Sequence, residues 1–283
     1  MEALASGYGL IEGPVWDPER GLLFSDVIFG GVYCLGGDGE VASVFPHRRG
    51  IGGMVPHIDG GLVLSGRNIA YKSFAGSDTV ALLEGDAAPG ILGFNDMTTD
   101  RAGRIYVGSL AFRATDPDVT PRPAHLHLID LDGSSRILAD GIVLTNGLGF
   151  SPDGETLYHA DSRTQAVWRY AVLPDGGVGP RQVFASVDEG IPDGLAVSED
   201  GAVWVAIADG GRVIVFEADG AERRRIPVPL PMVTSVCFGG DGLRDLYIVT
   251  GSRGASGDKA GSVYRISTDV AGLPIAPARV PLP

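Results

Sequence analysis

One short pattern recurs six times along the chain, and that repetition restricts the fold more than any other feature. The clearest copy spans residues 146–162, NGLGFSPDGETLYHADS. It reads as a short apolar run, a Pro-Asp-Gly turn, and a second run rich in strand-forming residues. Residues 193–209 (DGLAVSEDGAVWVAIAD) and 95–109 (NDMTTDRAGRIYVGS) repeat it. Residues 52–67, residues 234–252 and a stretch beginning at Glu12 complete the set. The copies start roughly 40–50 residues apart, the spacing of propeller blades. Two more strand-like runs follow each copy, such as 166–177 and 181–187 after the fourth and 211–221 and 222–229 after the fifth. Four antiparallel strands repeated six times predict an all-β, six-bladed β-propeller forming a single domain over residues 1–283. The sixth copy lacks a fourth strand of its own near 261–268, so the termini are expected to close the ring. Either the N-terminal segment or the PIAPARV tail (274–280) supplies that strand, because an open ring leaves sheet edges unpaired.

Composition agrees with this reading. The 43 glycines and 19 prolines suit many short strands joined by tight turns. A net charge of -13 argues against a nucleic-acid partner, which requires a basic face. Cys34 and Cys237 stand far apart among apolar neighbours and read as free thiols. The N-terminus lacks the basic start and apolar run of a signal peptide, and no segment approaches the roughly 20 apolar residues of a membrane helix. A cytoplasmic monomer or homodimer with no membrane partner is expected.

In a propeller, the first residues of each blade's innermost strand meet at one mouth of the central channel. Those positions are Glu12, Gly52, Asn95, Asn146, Asp193 and Thr234. Any one of them could be a turn residue. Glu, Asn, Asn and Asp at equivalent places in four blades carry more weight, because two carboxylates aimed into a narrow channel repel unless a cation lies between them. Oxygen donors without Cys or His suit a hard divalent ion, Ca²⁺ above all, or Mg²⁺ or Mn²⁺. Zn²⁺ or Fe²⁺ would fit with waters completing the shell.

These residues resemble the senescence marker protein/gluconolactonase/luciferin-regenerating enzyme-like family, which includes regucalcin. The most specific parts are Glu12-Gly13-Pro14-Val15-Trp16, Asn95-Asp96, Asn146-Gly147 with Ser151-Pro152-Asp153-Gly154, and Asp193-Gly194. The resemblance implies a metal-dependent lactonase, which hydrolyses a cyclic ester. It implies Glu12, Asn146 and Asp193 as metal ligands, Asp193 also as general base, and Asn95 as a substrate contact. Asp96 is the alternative base, although strand alternation would turn it into the blade. The family's aldonolactone enzymes carry an Arg two positions before the Asn of the Asn-Asp pair, where this chain has Gly93. The 110–123 connection should lie over the mouth as a lid or pocket wall. Phe29, Arg49, Arg67, Phe94, Phe112 and Met232 should reach the rim, giving a lactone substrate less polar than an aldonolactone.

Other conspicuous residues read as structural. His159 is a packed histidine, His125 and His127 share one face of a strand, and Arg223–Arg225 is a solvated edge run. No Gly-x-Ser-x-Gly elbow supports a serine triad. The competing readings are an esterase or organophosphate hydrolase with the same metal site, and a non-enzymatic calcium- or ligand-binding propeller.

Overall fold

The computed structural model describes residues 1–76, 78–85, 88–116 and 118–282. Its strands form six antiparallel sheets of four strands each. The chain opens with β1 (Glu2–Tyr8). Blade 1 follows as β2 (Ile11–Asp17), β3 (Gly21–Asp26), β4 (Val32–Leu35) and β5 (Val41–Phe45). Blade 2 is β6 (Met54–Pro56), β7 (Leu62–Leu64), β8 (Ile69–Lys72) and β9 (Thr79–Leu83). Blade 3 is β10 (Gly93–Thr99), β11 (Ile105–Leu110), β12 (Ala124–Ile129) and β13 (Ser135–Ile142). Blade 4 is β14 (Thr145–Phe150), β15 (Thr156–Asp161), β16 (Ala166–Ala171) and β17 (Gln182–Ser186). Blade 5 is β18 (Ile191–Val197), β19 (Val203–Ala208), β20 (Arg212–Phe216) and β21 (Glu222–Pro227). Blade 6 contributes β22 (Val233–Gly239), β23 (Asp245–Thr250) and β24 (Gly261–Ser267). A 3-10 turn at Asp241–Leu243 is the one helical element among the described residues.

The ring closes through the N-terminus. β1 pairs antiparallel with β24, so the first strand of the chain becomes the outer strand of the last blade. The C-terminal tail does something different. Its backbone bonds to Val197 and Pro56, and Arg279 N–H donates to the Gly103 carbonyl at 2.9 Å. His57 Nε2 lies 3.0 Å from the Val280 carbonyl oxygen. These contacts lie where inner strands end, so the tail straps the face opposite the strand starts.

The local chemistry of the repeat explains its strands. In blade 4 the Ser151 hydroxyl donates to Asp153 at 2.5 Å, and the Thr156 N–H donates back to Ser151 Oγ at 2.9 Å. Gly154 takes the left-handed conformation (φ 79°) that finishes the turn. Blade 5 repeats the device with Ser198 and Asp200 at 2.6 Å.

The apolar residues separate into six clusters, one at each seam between neighbouring blades. Trp204, for example, packs edge-on to Phe238 across the blade 5–6 seam. Each inner strand is therefore clamped from both sides, and the donors at its start are placed by packing. Burial pushes the Cys237 thiol up to about 12, in keeping with an inert structural cysteine. No helix of the described residues is long and apolar enough to cross a membrane.

Two buried histidines give the fold an acid-sensitive element. Burial holds His159 down at about 3 and His127 at about 4, whereas an unfolded chain binds these protons near pH 6.5. Below that pH the unfolded state takes up protons the fold refuses, so stability present above it is lost as pH falls. His159→Gln removes one such group. Its unfolding free energy, from urea titrations, should fall less steeply than the parent's between about pH 6 and 4, by about 1.4 kcal/mol per pH unit. Identical slopes would mean that His159 is protonated within the fold.

Candidate active site

At the channel mouth the inner strands depart from regular pairing. Register shifts interrupt the ladder between Glu12 and Val15, Phe94 and Met97, Thr145 and Leu148, Pro192 and Leu195, and Val233 and Ser235. A bulge at the start of a strand re-aims side chains that strict alternation would send elsewhere. The axis is also crowded. A Cβ on Gly194 would lie 2.0 Å from Ser235 Oγ, so the residue after Asp193 has no room for a side chain.

Asn95 and Asn146 meet directly. Asn95 Nδ2 donates to Asn146 Oδ1 at 2.7 Å and to the Thr145 carbonyl at 2.8 Å. Asn146 Nδ2 donates to Ser162 Oγ at 2.8 Å, and the Ser162 hydroxyl donates to the Pro192 carbonyl at 2.6 Å. A carbonyl can only accept, so Ser162 must use its proton there and accept from Asn146. That logic fixes the Asn146 amide with Oδ1 on the Asn95 side, where its second lone pair stays free. Ser162 thus ties the Asn146 strand to the residue just before Asp193.

The carboxylates gather in the same place. Glu12 is pushed well above the usual carboxylate range by burial first, then by Asp193 and Asp96. Asp193 is raised in the same way, by burial and then by Asp96. Burial lifts Asp96 to about 7 against the Met97 N–H, which donates to it at 2.8 Å. Arg253 acts on Asp193 only from a distance, since its guanidinium is paired with Asp209 at 2.8 and 3.0 Å. Among the described residues no Lys or Arg forms an ion pair with Glu12, Asp96 or Asp193. Asp193 Oδ1 is buried without any hydrogen-bond partner. An orphaned carboxylate oxygen, two further uncompensated carboxylates and a free amide lone pair fit a hard divalent cation.

The other expected positions divide. The Thr234 hydroxyl is absorbed by the Ile11 and Val249 carbonyls at 2.6 and 3.1 Å. Phe94 and Phe112 are 1% and 2% exposed, within the wall rather than at the rim. Phe94 packs edge-on to His127 at 5.6 Å. Phe29 is 40% exposed with Lys259 over its ring at 4.8 Å, and Arg49 is exposed nearby. Of the 110–123 connection, Pro117 lies outside the described residues.

The model of the SMP-30/gluconolactonase/LRE-like region matches residues 10–252. The chain belongs to this family. It is 31% identical over 280 residues to the pentonolactonase XacC of Haloferax volcanii, covering 93% of this chain and 92% of that one. It is 30% identical over 293 residues to regucalcin of Gallus gallus, covering 95% of each. The solved structure of a luciferin-regenerating enzyme superposes with a TM-score of 0.89 over 99% of both chains at 24% identity.

Asp96 and Ser162 are the members of the site that sequence reasoning underweighted. For Ser162 the usable signal was a serine at the end of a second strand, at the same mouth as Asn146. Ser162→Ala would strand the Asn146 amide and the Pro192 carbonyl. Unfolding should become easier by about 1–3 kcal/mol, and divalent-ion affinity, read by calorimetry, should weaken about 10–100-fold. Unchanged affinity would show that Asn146 is held by other contacts.

Proposed function

We propose that the protein is a divalent-metal-dependent lactonase whose ion is held by Glu12, Asn146 and Asp193, with Asn95 contacting the substrate. The observation that carries this reading is Asp193 Oδ1, buried and unpartnered among carboxylates that no protein cation neutralises. The lactonase relative and the family support the reaction class. When bound, the ion supplies Lewis acidity to the ester carbonyl.

The chain's own residues do the rest. Asp193 accepts the proton of the attacking water as its oxygen bonds to the acyl carbon. The acyl C–O bond to the ring oxygen then breaks, and the same proton returns to the departing alkoxide, giving one hydroxy acid from one lactone and one water. Asn95, held by Thr145 and Asn146, stands beside the reacting centre with its own oxygen free for a substrate hydroxyl. The narrow, buried axis limits water around the carboxylates, which strengthens every electrostatic contact made there.

The expectation of a substrate less polar than an aldonolactone rests on Gly93, where the family's sugar-lactone enzymes carry an Arg, and on three phenylalanines. Two of the phenylalanines are buried in the wall, and Arg67 Cα lies 3.6 Å from where a Cβ of residue 93 would sit, so both supports are weakened.

Chelation followed by reconstitution with Ca²⁺, Mn²⁺ or Zn²⁺ should abolish and then restore lactone hydrolysis, monitored with a pH indicator. Asp193→Asn keeps an oxygen donor but removes the base, so kcat should drop about 10²–10⁴-fold. Glu12→Gln should mainly weaken metal affinity. Full turnover in protein shown by elemental analysis to be metal-free would overturn the proposal, and an undiminished kcat in Asp193→Asn would move the base elsewhere.

A further inference from the structure

Most arginines of the chain are engaged. Arg104, Arg223 and Arg265 sit in ion pairs, and Arg101 and Arg122 donate to backbone carbonyls. Among the described residues Arg49 and Arg67 have no carboxylate, carbonyl or ring partner. Both are exposed, Arg49 on the β5–β6 connection and Arg67 on the β7–β8 connection, the two kinds of connection that open at the mouth. An unpaired guanidinium on so acidic a protein is a ready acceptor for an anion.

The two residues stand on neighbouring loops that are fastened together. Arg48, the chain neighbour of Arg49, donates through Nη2 to the Ser65 and Asn68 carbonyls at 3.1 Å and to Asn68 Oδ1 at 3.2 Å. Ser65 Oγ in turn accepts the Gly52 and Gly53 N–H groups at 3.1 and 2.9 Å. Glu84, the nearby acid, takes a hydrogen bond from Asn68 and not from either free arginine. The loop carrying Arg67 also reaches the inner strand of blade 3, where Phe94 N–H donates to the Gly66 carbonyl at 2.7 Å. A Cβ at position 93 would lie 2.7 Å from that carbonyl oxygen and 3.6 Å from Arg67 Cα. A side chain at 93 is therefore excluded, and Arg67 stands next to the space it would have taken.

We infer that Arg49 and Arg67 form a paired grip for an anionic group carried by the lactone, a carboxylate, sulfonate or phosphate, and that Arg67 sets the preference for it. This inference rests on the lactonase reading and specifies its substrate class. The anion would lie at the rim while the ester reaches the carboxylate cluster below. Two guanidiniums on loops fastened to each other gain most from a group that accepts several hydrogen bonds at once. Arg48 contributes by positioning, since its Nη2 ties its own loop to the one that carries Arg67.

The test compares a γ-lactone bearing a carboxylate on a short alkyl tether with the carboxamide of the same size, using the metal-loaded full chain. The parent should favour the carboxylate in kcat/KM by about tenfold or more, mainly through KM, and the preference should shrink as salt is added. Arg67→Gln should bring the ratio close to one, and Arg67→Lys should retain part of it. Arg49→Gln should lower it as well, and it decides the matter if Arg67→Gln fails to fold by circular dichroism. Arg169, a free arginine on β16 away from the mouth, is the control, and Arg169→Gln should keep the parental ratio. A parent that turns over the carboxamide as well as the carboxylate overturns this inference and leaves the lactonase reading standing. A parent that turns over neither lactone overturns both.

Discussion

Six inner strands share one axis, and the lack of room there governs the mouth. Neighbouring strands approach until a Cβ on Gly194 would collide with Ser235 and one on Gly52 would collide with Asn95. Regular pleating cannot be kept at such spacing, and the ladders of five blades break register at their first residues. At those breaks Asn95 meets Asn146, and Glu12, Asp96 and Asp193 come within electrostatic reach of one another. Closure by β1 on β24 makes the crowding permanent, because a ring with no open edge cannot relax by splaying a blade.

Electrostatics follows from that packing. Asp193 and Asp96 raise the proton affinity of Glu12, Asp96 raises that of Asp193, and among the described residues no Lys or Arg is ion-paired to them, which is unfavourable unless a cation enters or a proton is retained. The amide network adds rigidity instead of charge. Thr145, Asn95, Asn146, Ser162 and Pro192 form one hydrogen-bonded chain through blades 3, 4 and 5. Oxygen donors are thereby positioned before any ligand arrives, so little ordering remains to be done on binding. The tail, strapped across the opposite face, leaves the mouth as the side from which a substrate can approach.

Much of this was legible in the sequence, for a physical reason. A propeller repeats its turn chemistry, so Ser-Pro-Asp-Gly and Ser-Glu-Asp-Gly betray equivalent places in blades 4 and 5, and the inner strand starts follow by counting back. The closing strand was harder to read. Both termini carry short strand-like runs, and only long-range pairing separates β1 in the ring from a tail whose Ala278 N–H donates to the Pro56 carbonyl and whose Val280 carbonyl meets His57 Nε2. Asp96 departs from expectation because alternation from Asn95 turns it into the blade, whereas the register shift between Phe94 and Met97 breaks the period of two. Phe94, before the shift, keeps the blade-facing side that alternation from Asn95 gives it. Asp96 consequently lies among the site carboxylates while Phe94 fills the blade 2–3 seam. Ser162 was hidden because its role depends on a partner in the next blade, which no local pattern reveals.

The central claim is that Glu12, Asn146 and Asp193 hold one divalent cation at the channel mouth. Anomalous diffraction from crystals loaded with Mn²⁺ tests it most directly. The account predicts a single strong peak within coordinating distance of oxygens from all three side chains, with Asp193 Oδ1 among them. A well-ordered mouth with no peak, or a sole peak bound by other residues, would contradict it.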